Sequence, residues 1–274
     1  MIASGIHHQL TAHNTLMTDQ VQTGHFVKDG KVLADSPVWG MTLLSAGSMR
    51  FRWSETNARR DEFFASLCGG TRQVAAVQLI HSKSVLLVDR SGELLGKEAD
   101  GVLTRNPCLI PTVTVADCMP LFVYDSSSGV FGVLHSGWRG TGIVEEAYSL
   151  LHQRCGTAPR DLCVVLGAHI KSCCYTVDKD RAAAFKKNFG EQCAKEAGGS
   201  WYLDLQEANL ALLGRIGVPR GNVLCVSECT ACFTQEGRHK YGSFRRQTAQ
   251  LSEDVPLEQR QRAFTAQAAF VMMS

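Results

Sequence analysis

Apolar and polar positions alternate along the chain in a way that separates strand-like from helix-like segments. Helical periodicity predicts four helices, in "SETNARRDEFFASLCGG", "IVEEAYSLLHQRCG", "DKDRAAAFKKNFG" and "LDLQEANLALLGRIG", with Ser54 as the expected cap of the first. Strand-like runs lie on both sides of His81 and fill most of the segments 109–136 and 161–170, with further strands near 222–230 and at the C-terminus. The elements mix without a regular β-α-β order, which predicts an α+β fold with mixed β-sheets flanked by helices.

The chain shows no internal repeat, low-complexity tract or Pro/Ser-rich linker, so we expect one main domain over residues 36–274. Residues 1–35 are polar and rich in histidine, with weak periodicity. They are expected to form an N-terminal arm, either poorly ordered or folded as an edge hairpin around "KDGK".

Composition narrows the class of protein. The 274 residues are 45% hydrophobic and 20% charged, as in ordinary globular proteins, and the net charge of +2 is too small to indicate nucleic-acid binding. We see neither a signal peptide nor an apolar run of ~18 residues, so no membrane association is expected. Eleven cysteines, an odd number scattered through apolar runs, indicate reduced thiols and therefore the cytoplasm.

Cys118 and His135 are the first candidates for chemistry. The strand-like runs before and after the turn sequence "SSSG" predict an antiparallel hairpin in which these two side chains lie within a position or two of direct pairing. A thiol and an imidazole at that separation suit metal ligation or a Cys–His nucleophile pair, while a buried cysteine beside a core histidine is the structural alternative.

The turn that follows His135 points to an anion. "SGWRGTG" leads into a helix expected to start near Thr141, and helix N-termini attract negative charge. Arg139 adds a guanidinium suited to phosphate or carboxylate. The alternative is that Arg139 pins the turn by bonding backbone carbonyl groups.

Three segments together resemble a known family: "TVADCMPLFVYD", "GVLHSGWRGTG" and "VVLGAHIKSCCYTV". They look like successive blocks of the laccase-domain family, also called multicopper polyphenol oxidoreductases and now associated with purine nucleoside phosphorylase activity. Cys229-Thr230 and the segment 243–246 match its C-terminal blocks. The resemblance runs from about residue 50 to the C-terminus, and it implies a fold related to that of the toxin deamidases.

The resemblance also implies roles for individual residues. The metal ligands would be His81, Cys118 and His135, holding Zn²⁺ with one coordination position open, and copper could occupy the same site. Asp117 would be a catalytic acid or base or a supporting carboxylate, alongside Cys118 and His135, with a structural hydrogen bond as the alternative. Phosphate or ribose would be bound by Arg139, Arg245 and Arg246.

The implied function is a zinc-dependent purine nucleoside enzyme that performs phosphorolysis of adenosine, inosine or methylthioadenosine, with adenosine deamination as a side activity. Its partners would be the nucleoside and phosphate. One alternative is a polyphenol oxidase with copper in the same site, although nine histidines without an H-x-H motif argue against a true multicopper enzyme. Further alternatives are a Cys–His hydrolase or deamidase and an inactive metal-binding member.

Several positions depart from the family pattern. Leu79, Ala168 and Thr176 stand where the family has Gln, Pro and Glu, and an expected arginine is missing from the C-terminal "FTAQAAF". These departures concern the substrate pocket more than the metal site. Cys229 and Cys232 form a C-x-x-C motif without a second pair of that kind, and the adjacent Cys173 and Cys174 are expected to pack or to line the pocket.

Overall fold

Two six-stranded β-sheets lie face to face, and helices cover their outer surfaces. The computed structural model describes residues 15–17, 19–252 and 254–273. The helices of this part of the chain are α1 (Ala58–Cys68), α2 (Ile143–Cys155), α3 (Lys179–Phe189), α4 (Leu205–Ile216), α5 (Phe244–Gln247) and α6 (Leu257–Arg262). The first four correspond to the four that the periodicity predicts.

The strands are short and numerous. In chain order they are β1 (Thr15–Met17), β2 (Val21–His25), β3 (Val27–Lys28), β4 (Lys31–Val32), β5 (Val38–Thr42), β6 (Gln73–Ala76), β7 (Val85–Val88), β8 (Gly101–Thr104), β9 (Leu109–Val115), β10 (Met119–Asp125), β11 (Phe131–Ser136), β12 (Leu162–Leu166), β13 (Thr176–Val177), β14 (Ala194–Ala197), β15 (Ser200–Leu203), β16 (Val223–Cys225), β17 (Thr234–Gln235), β18 (Arg238–His239) and β19 (Gln267–Met272).

Both large sheets mix parallel and antiparallel pairs. The first has the order β1-β2-β5-β19-β9-β6 and is antiparallel except for its β9–β6 pair. The second has the order β16-β12-β10-β11-β8-β7, with parallel pairs at both edges. This confirms the expected α+β fold with mixed sheets in a single domain.

The apolar run of β10 is buried on both faces, which explains why it does not alternate with polar residues. Phe122 faces the first sheet, where its ring centroid lies 5.3 Å from that of Trp39. Leu121 and Val123 point the other way, into the layer that also holds buried side chains of α2 and α4. The strand that leads out of Cys118 is therefore fixed from both sides.

Helix α1 covers the outer face of the first sheet, where the rings of Phe64 and Phe270 lie 6.0 Å apart. The expected cap at Ser54 is wrong, because the helix begins after Asn57. The Asn57 side chain accepts a hydrogen bond from the Arg60 N–H at 3.2 Å and donates to two backbone carbonyl groups of the preceding loop. These extra contacts favour Asn57 over the equally suitable residue type at position 54.

The expected hairpin around "KDGK" is present as β3 and β4, with Asp29 and Gly30 at positive φ in its turn. Just before it, β2 pairs with β5 in the first sheet. Residues 1–14 and 18 lie outside the described residues, and the division of the chain at residue 35 stays a prediction. Among the helices described, none has the length and apolar character to cross a membrane.

Asp125 closes the hairpin between β10 and β11 and is fully buried. Its carboxylate accepts hydrogen bonds from Ser127 N and Oγ at 2.9 and 2.8 Å, and from the Ser128 and Thr157 hydroxyls at 2.5 Å each. Burial opposes its ionisation, but these donors outweigh burial and lower the pKa of Asp125.

Asp125→Asn is therefore expected to reduce the free energy of unfolding at neutral pH by about 2 kcal/mol. Because the folded-state pKa is depressed, this contribution is present above the unfolded pKa of about 3.9 and is lost as pH falls through the folded value. Urea unfolding between neutral pH and pH 3 measures it, with the exposed Asp89→Asn as control. A stability difference that does not shrink on acidification would contradict this account.

Candidate active site

Cys118 and His135 are brought together by the β10–β11 hairpin. The register pairs Met119 with Ser136 and Pro120 with His135, so Cys118, one residue before β10, lies two positions from direct pairing. The hairpin predicted from the sequence is confirmed. The preceding residue, Asp117, has a φ of 79°, a strained conformation for an aspartate that often occurs at functional sites.

His81 joins this pair from the loop between β6 and β7. The potential ligand atoms of His81, Cys118 and His135, which we call the His/Cys cluster, lie within 4.8 Å of one another. The two imidazole rings are 4.8 Å apart and nearly perpendicular. His135 is buried and His81 is exposed. Two nitrogens and one sulfur with one side open form a donor set that fits a metal ion and leaves a position for substrate.

Asp100 orients the cluster, although the sequence analysis did not identify it. Its buried carboxylate lies 2.9 Å from His135 Nδ1 and accepts hydrogen bonds from the backbone N–H groups of His81 and Ser82, at 3.0 and 2.6 Å. With Nδ1 occupied, His135 presents Nε2 to the cluster. The one signal in the sequence is an acidic residue just before the apolar strand that begins at Gly101, which by itself is weak.

Cys118 and His135 each stabilise the charged form of the other. Burial disfavours the thiolate, but His135 and a hydrogen bond from His81 outweigh it and lower the pKa of Cys118. Burial also disfavours the imidazolium, yet the Cys118 thiolate and the Asp100 carboxylate outweigh burial and raise the pKa of His135. The pair therefore favours thiolate and imidazolium, and a metal ion that binds there displaces the imidazolium proton.

The first glycine of the "HSGWRG" turn, Gly137, lies where there is no room for a side chain. A Cβ atom at this position would lie 2.7 Å from Cys118 Sγ, inside van der Waals contact, and 3.9 Å from the His81 ring. The backbone here therefore forms a wall of the cluster that a side chain would fill.

Gly137→Ala is expected to displace the Cys118 sulfur and lower metal affinity by roughly 10-fold or more, the effect typical of disturbing the groups around a ligand. Competition with a chelator measures the affinity. Gly129→Ala is the control for an added methyl group, because a Cβ there meets no atom within 4 Å, although its φ of 74° makes some loss of stability expected. Unchanged metal affinity in Gly137→Ala would show that the sulfur is free to move.

The His/Cys cluster opens into a cavity of about 390 Å³. Aromatic rings form part of its wall, contributed by Phe51, Tyr175, Phe244 and Phe264. Four guanidinium side chains also line it, those of Arg50, Arg52, Arg181 and Arg245. The cavity thus combines a donor set for a metal, flat apolar surfaces and positive charge.

Asp117 lies beside the cluster at the floor of this cavity and is 8% exposed. Its carboxylate accepts hydrogen bonds from Thr230 Oγ1 at 2.6 Å, Ser243 Oγ at 3.0 Å and the backbone N–H of Arg245 at 2.6 Å. With both oxygens engaged, the carboxylate ties together loops that are far apart in sequence.

The structure places the three arginines named from the sequence differently. Arg245 lines the cavity and donates to Thr176 Oγ1 and O at 2.7 and 2.8 Å. Arg246 directs its guanidinium away from the cavity, to the backbone carbonyl groups of Thr230, Ala231 and Tyr241.

Arg139 is exposed and is not brought to the cavity. Its guanidinium lies 4.9 Å from the ring centroid of Trp138, on a neighbouring surface depression that Lys83 also lines. Trp138 and Arg181 line both this depression and the cavity. The turn that carries it is fixed instead by Thr141, whose hydroxyl donates to the Gly137 carbonyl at 2.8 Å. The anion-binding roles of Arg139 and Arg246 stay predictions.

The sequence of this chain is similar to those of known proteins. A family model described as multi-copper polyphenol oxidoreductase laccase matches residues 53–252. Purine nucleoside phosphorylase YlmD of Geobacillus stearothermophilus is 33% identical over 139 residues, 48% of this chain and 51% of that protein. Adenosine deaminase RL5, from an unknown prokaryotic organism, is 31% identical over 166 residues, 56% of this chain and 63% of that protein. The chain thus spans about half the length of the first of these curated relatives.

The fold likeness extends further than the sequence likeness. The crystal structure of YlmD from Geobacillus stearothermophilus superposes with a TM-score of 0.72 at 21% identity and covers 90% of this chain and 99% of that one. At this identity the superposition shows a shared fold.

Proposed function

The chain belongs to the multi-copper polyphenol oxidoreductase laccase family, and from this premise we propose that it is a zinc-dependent purine nucleoside phosphorylase. The observation that carries the proposal is the His/Cys cluster at the wall of a cavity that also holds arginines and aromatic rings. A relative whose name is purine nucleoside phosphorylase supports it. Substrates would be adenosine, inosine or methylthioadenosine, together with phosphate.

We assign phosphate binding to Arg50 and Arg245. Arg50 Nη2 pairs with Glu55 at 2.9 Å, while its Nη1 is buried beside the cavity with no hydrogen-bond partner within the described residues. A buried guanidinium nitrogen of this kind is expected to meet a ligand. Arg245 keeps Thr176 as a partner, and phosphate would add a second contact.

The aromatic wall would hold the purine. A purine ring offers a flat surface that can stack on Phe and Tyr side chains, and Phe244 and Phe264 line the cavity with their rings packed edge to face at a centroid distance of 5.3 Å. Burial and the nearby Cys118 thiolate raise the pKa of Tyr175, so its phenol stays neutral and can donate a hydrogen bond.

In phosphorolysis an oxygen of hydrogen phosphate bonds to C1′ of the ribose while the bond from C1′ to the purine nitrogen breaks, and the proton of the hydrogen phosphate passes to the departing purine. Positive charge builds up on the ribose, by analogy with glycoside cleavage, so an anion held beside it favours the reaction. The arginines would fix that anion, and Asp117 would position the Arg245 backbone and Thr230. Zinc, when bound, supplies a Lewis acid that polarises an oxygen or ring nitrogen of the nucleoside.

The direct test combines metal analysis with an assay. Protein purified without added metal is examined for zinc and copper, then incubated with each nucleoside with and without phosphate. Base and the matching sugar 1-phosphate, which is ribose 1-phosphate or, from methylthioadenosine, 5-methylthioribose 1-phosphate, should appear in equal amounts and only with phosphate. Base release that ignores phosphate, or none from fully metallated protein, would reject the proposal.

Arg245→Ala should raise the phosphate KM by one to two orders of magnitude, because a charge-assisted hydrogen bond contributes ~1.5–3 kcal/mol. The backbone N–H that Asp117 uses is retained. Arg154→Ala, exposed on α2, is the matched control. Arg139→Ala tests the role inferred for that residue from the sequence. A melting temperature that falls together with an unchanged phosphate KM would leave Arg245 a structural role only.

Three other chemistries are separated by the same measurements, and the first two have specific support. A relative whose name is adenosine deaminase favours release of ammonia from adenosine without phosphate. The thiolate–imidazolium pair favours a Cys–His hydrolase if the His/Cys cluster holds no metal, because a metal-bound thiolate is not available as a nucleophile. Copper in place of zinc, with oxidation of phenols, would support the oxidase alternative.

All eleven cysteines are free thiols, consistent with a proposed location in the cytoplasm.

A further inference from the structure

We infer that the protein binds a second zinc ion in a closed site of four thiolates, separate from the His/Cys cluster. The four sulfur atoms lie within 4.8 Å of one another, and we call this group the four-cysteine cluster. Its members are Cys173, Cys174, Cys229 and Cys232. Each cysteine is a free thiol.

The topology of the second sheet brings the two halves of the cluster together. Strands β12 and β16 are parallel neighbours, so their carboxyl ends meet at one edge of the sheet. The parallel pairing continues past the strands as a bridge between His169 and Cys229, and Thr230 N donates to the His169 carbonyl at 3.0 Å. The adjacent cysteines that follow β12 therefore face the C-x-x-C motif that follows β16.

The spacing of the sulfurs fits zinc better than it fits a disulfide. Cys173 Sγ and Cys232 Sγ are 3.7 Å apart. Four sulfurs placed tetrahedrally at the usual Zn–S distance of ~2.3 Å would be separated by about 3.8 Å. A disulfide needs about 2.05 Å.

Hydrogen-bond donors and cationic side chains lie around the cluster, chiefly at Cys229. Cys229 Sγ accepts a hydrogen bond from the backbone N–H of Lys171 at 3.4 Å, and the N–H groups of Ala231 and Cys232 also point to it. The cationic side chains of Lys171 and Arg246 lie close enough to interact with these sulfurs. Backbone donors and nearby cations stabilise the negative charge that four thiolates place around a divalent ion.

The cluster would act as a structural brace. The apolar packing around it is small: Ile170, Cys229 and Ala231 are its buried members, with Cys174 and Tyr175 packed against them. A closed set of four protein ligands leaves no position for substrate, which is typical of structural zinc. The braced loops carry Tyr175 to the cavity and Thr230 to Asp117, so this ion would support the proposed active site without touching substrate.

The test counts metal ions in the full-length chain and its variants, purified in reducing buffer and supplied with zinc alone. Wild-type protein should hold about two zinc ions per chain. The double variant His81→Ala/Cys118→Ala should keep one, and Cys173→Ser/Cys232→Ser should also keep one. Cys108→Ser, at an exposed cysteine outside both clusters, should keep two.

Cobalt gives a readout that does not depend on the folding of the cysteine double variant. His81→Ala/Cys118→Ala leaves the four-cysteine cluster intact, and its cobalt(II) form should show the intense visible absorption and thiolate charge transfer of tetrahedral sulfur coordination. Cys108→Ser in the same background should keep this spectrum. Absence of metal from the His81→Ala/Cys118→Ala protein would overturn the inference. So would a protein mass that is lower by two hydrogen atoms because Cys173 and Cys232 form a disulfide.

Discussion

Cys118→Ala is expected to empty the His/Cys cluster and to lower kcat/KM for phosphorolysis by about 10³-fold. The substitution removes the one sulfur donor of the cluster, and two histidines without a third ligand hold zinc weakly. Metal catalysis typically contributes several kcal/mol to transition-state stabilisation, and each ~1.4 kcal/mol corresponds to a factor of ten. Metal content and nucleoside phosphorolysis, measured on the same preparation, test both parts of this expectation.

His81→Ala separates the metal role of Cys118 from a nucleophilic one. It removes a ligand but leaves the pair of Cys118 and His135 in place. The metalloenzyme proposal expects the same loss of activity as in Cys118→Ala, and Cys108→Ser serves as the cysteine control. Full activity in a His81→Ala protein whose His/Cys cluster holds no metal would refute the zinc mechanism and support a Cys–His enzyme.

The sequence was most informative where local pattern and short-range pairing decide the structure. The hairpin that joins Cys118 to His135 follows from two apolar runs and a serine-rich turn, because a short connection leaves few registers open. The four main helices follow from periodicity in the same way. The cap at Asn57 was missed because it depends on contacts with the loop over residues 48–50, which periodicity does not report.

Features that depend on contacts between distant parts of the chain could not be predicted from local sequence patterns. The four-cysteine cluster requires the parallel pairing of β12 with β16, and a C-x-x-C motif read alone has no second pair of ligands. Arg139 illustrates the reverse case. Its motif lies next to a cluster residue in sequence, yet the turn directs its side chain to Trp138 on the surface. Adjacency to a ligand fixes the backbone position but leaves a long side chain free to point elsewhere.

Thr176 departs from the family pattern, and this departure affects the charge of the cavity. The family resemblance places a glutamate here, which would form an ion pair with Arg245. The threonine hydroxyl and carbonyl accept hydrogen bonds from the Arg245 guanidinium and leave its positive charge unneutralised. A more positive cavity favours an anionic ligand, in agreement with the proposed phosphate site.

Asp100→Asn is expected to weaken metal binding by about 10- to 100-fold and to reduce phosphorolysis at limiting zinc by a similar factor. The carboxylate accepts from His81 N, from Ser82 N and Oγ, and faces His135 Nδ1. An amide has one acceptor oxygen, so its NH₂ group must face one of these donors or force His135 into the other tautomer. Either outcome turns a ligand nitrogen away from the orientation that the metal needs.

Zinc affinity by chelator competition and activity across a zinc titration measure this effect, with Glu98→Gln as the matched exchange of acid for amide at an exposed position two residues away. Excess zinc should restore much of the activity of Asp100→Asn, because the ligands themselves are intact. It should not restore Cys118→Ala, which lacks one. Activity in Asp100→Asn that stays low at saturating zinc, with normal metal content, would mean that the buried carboxylate acts on the substrate step and not through the orientation of His135.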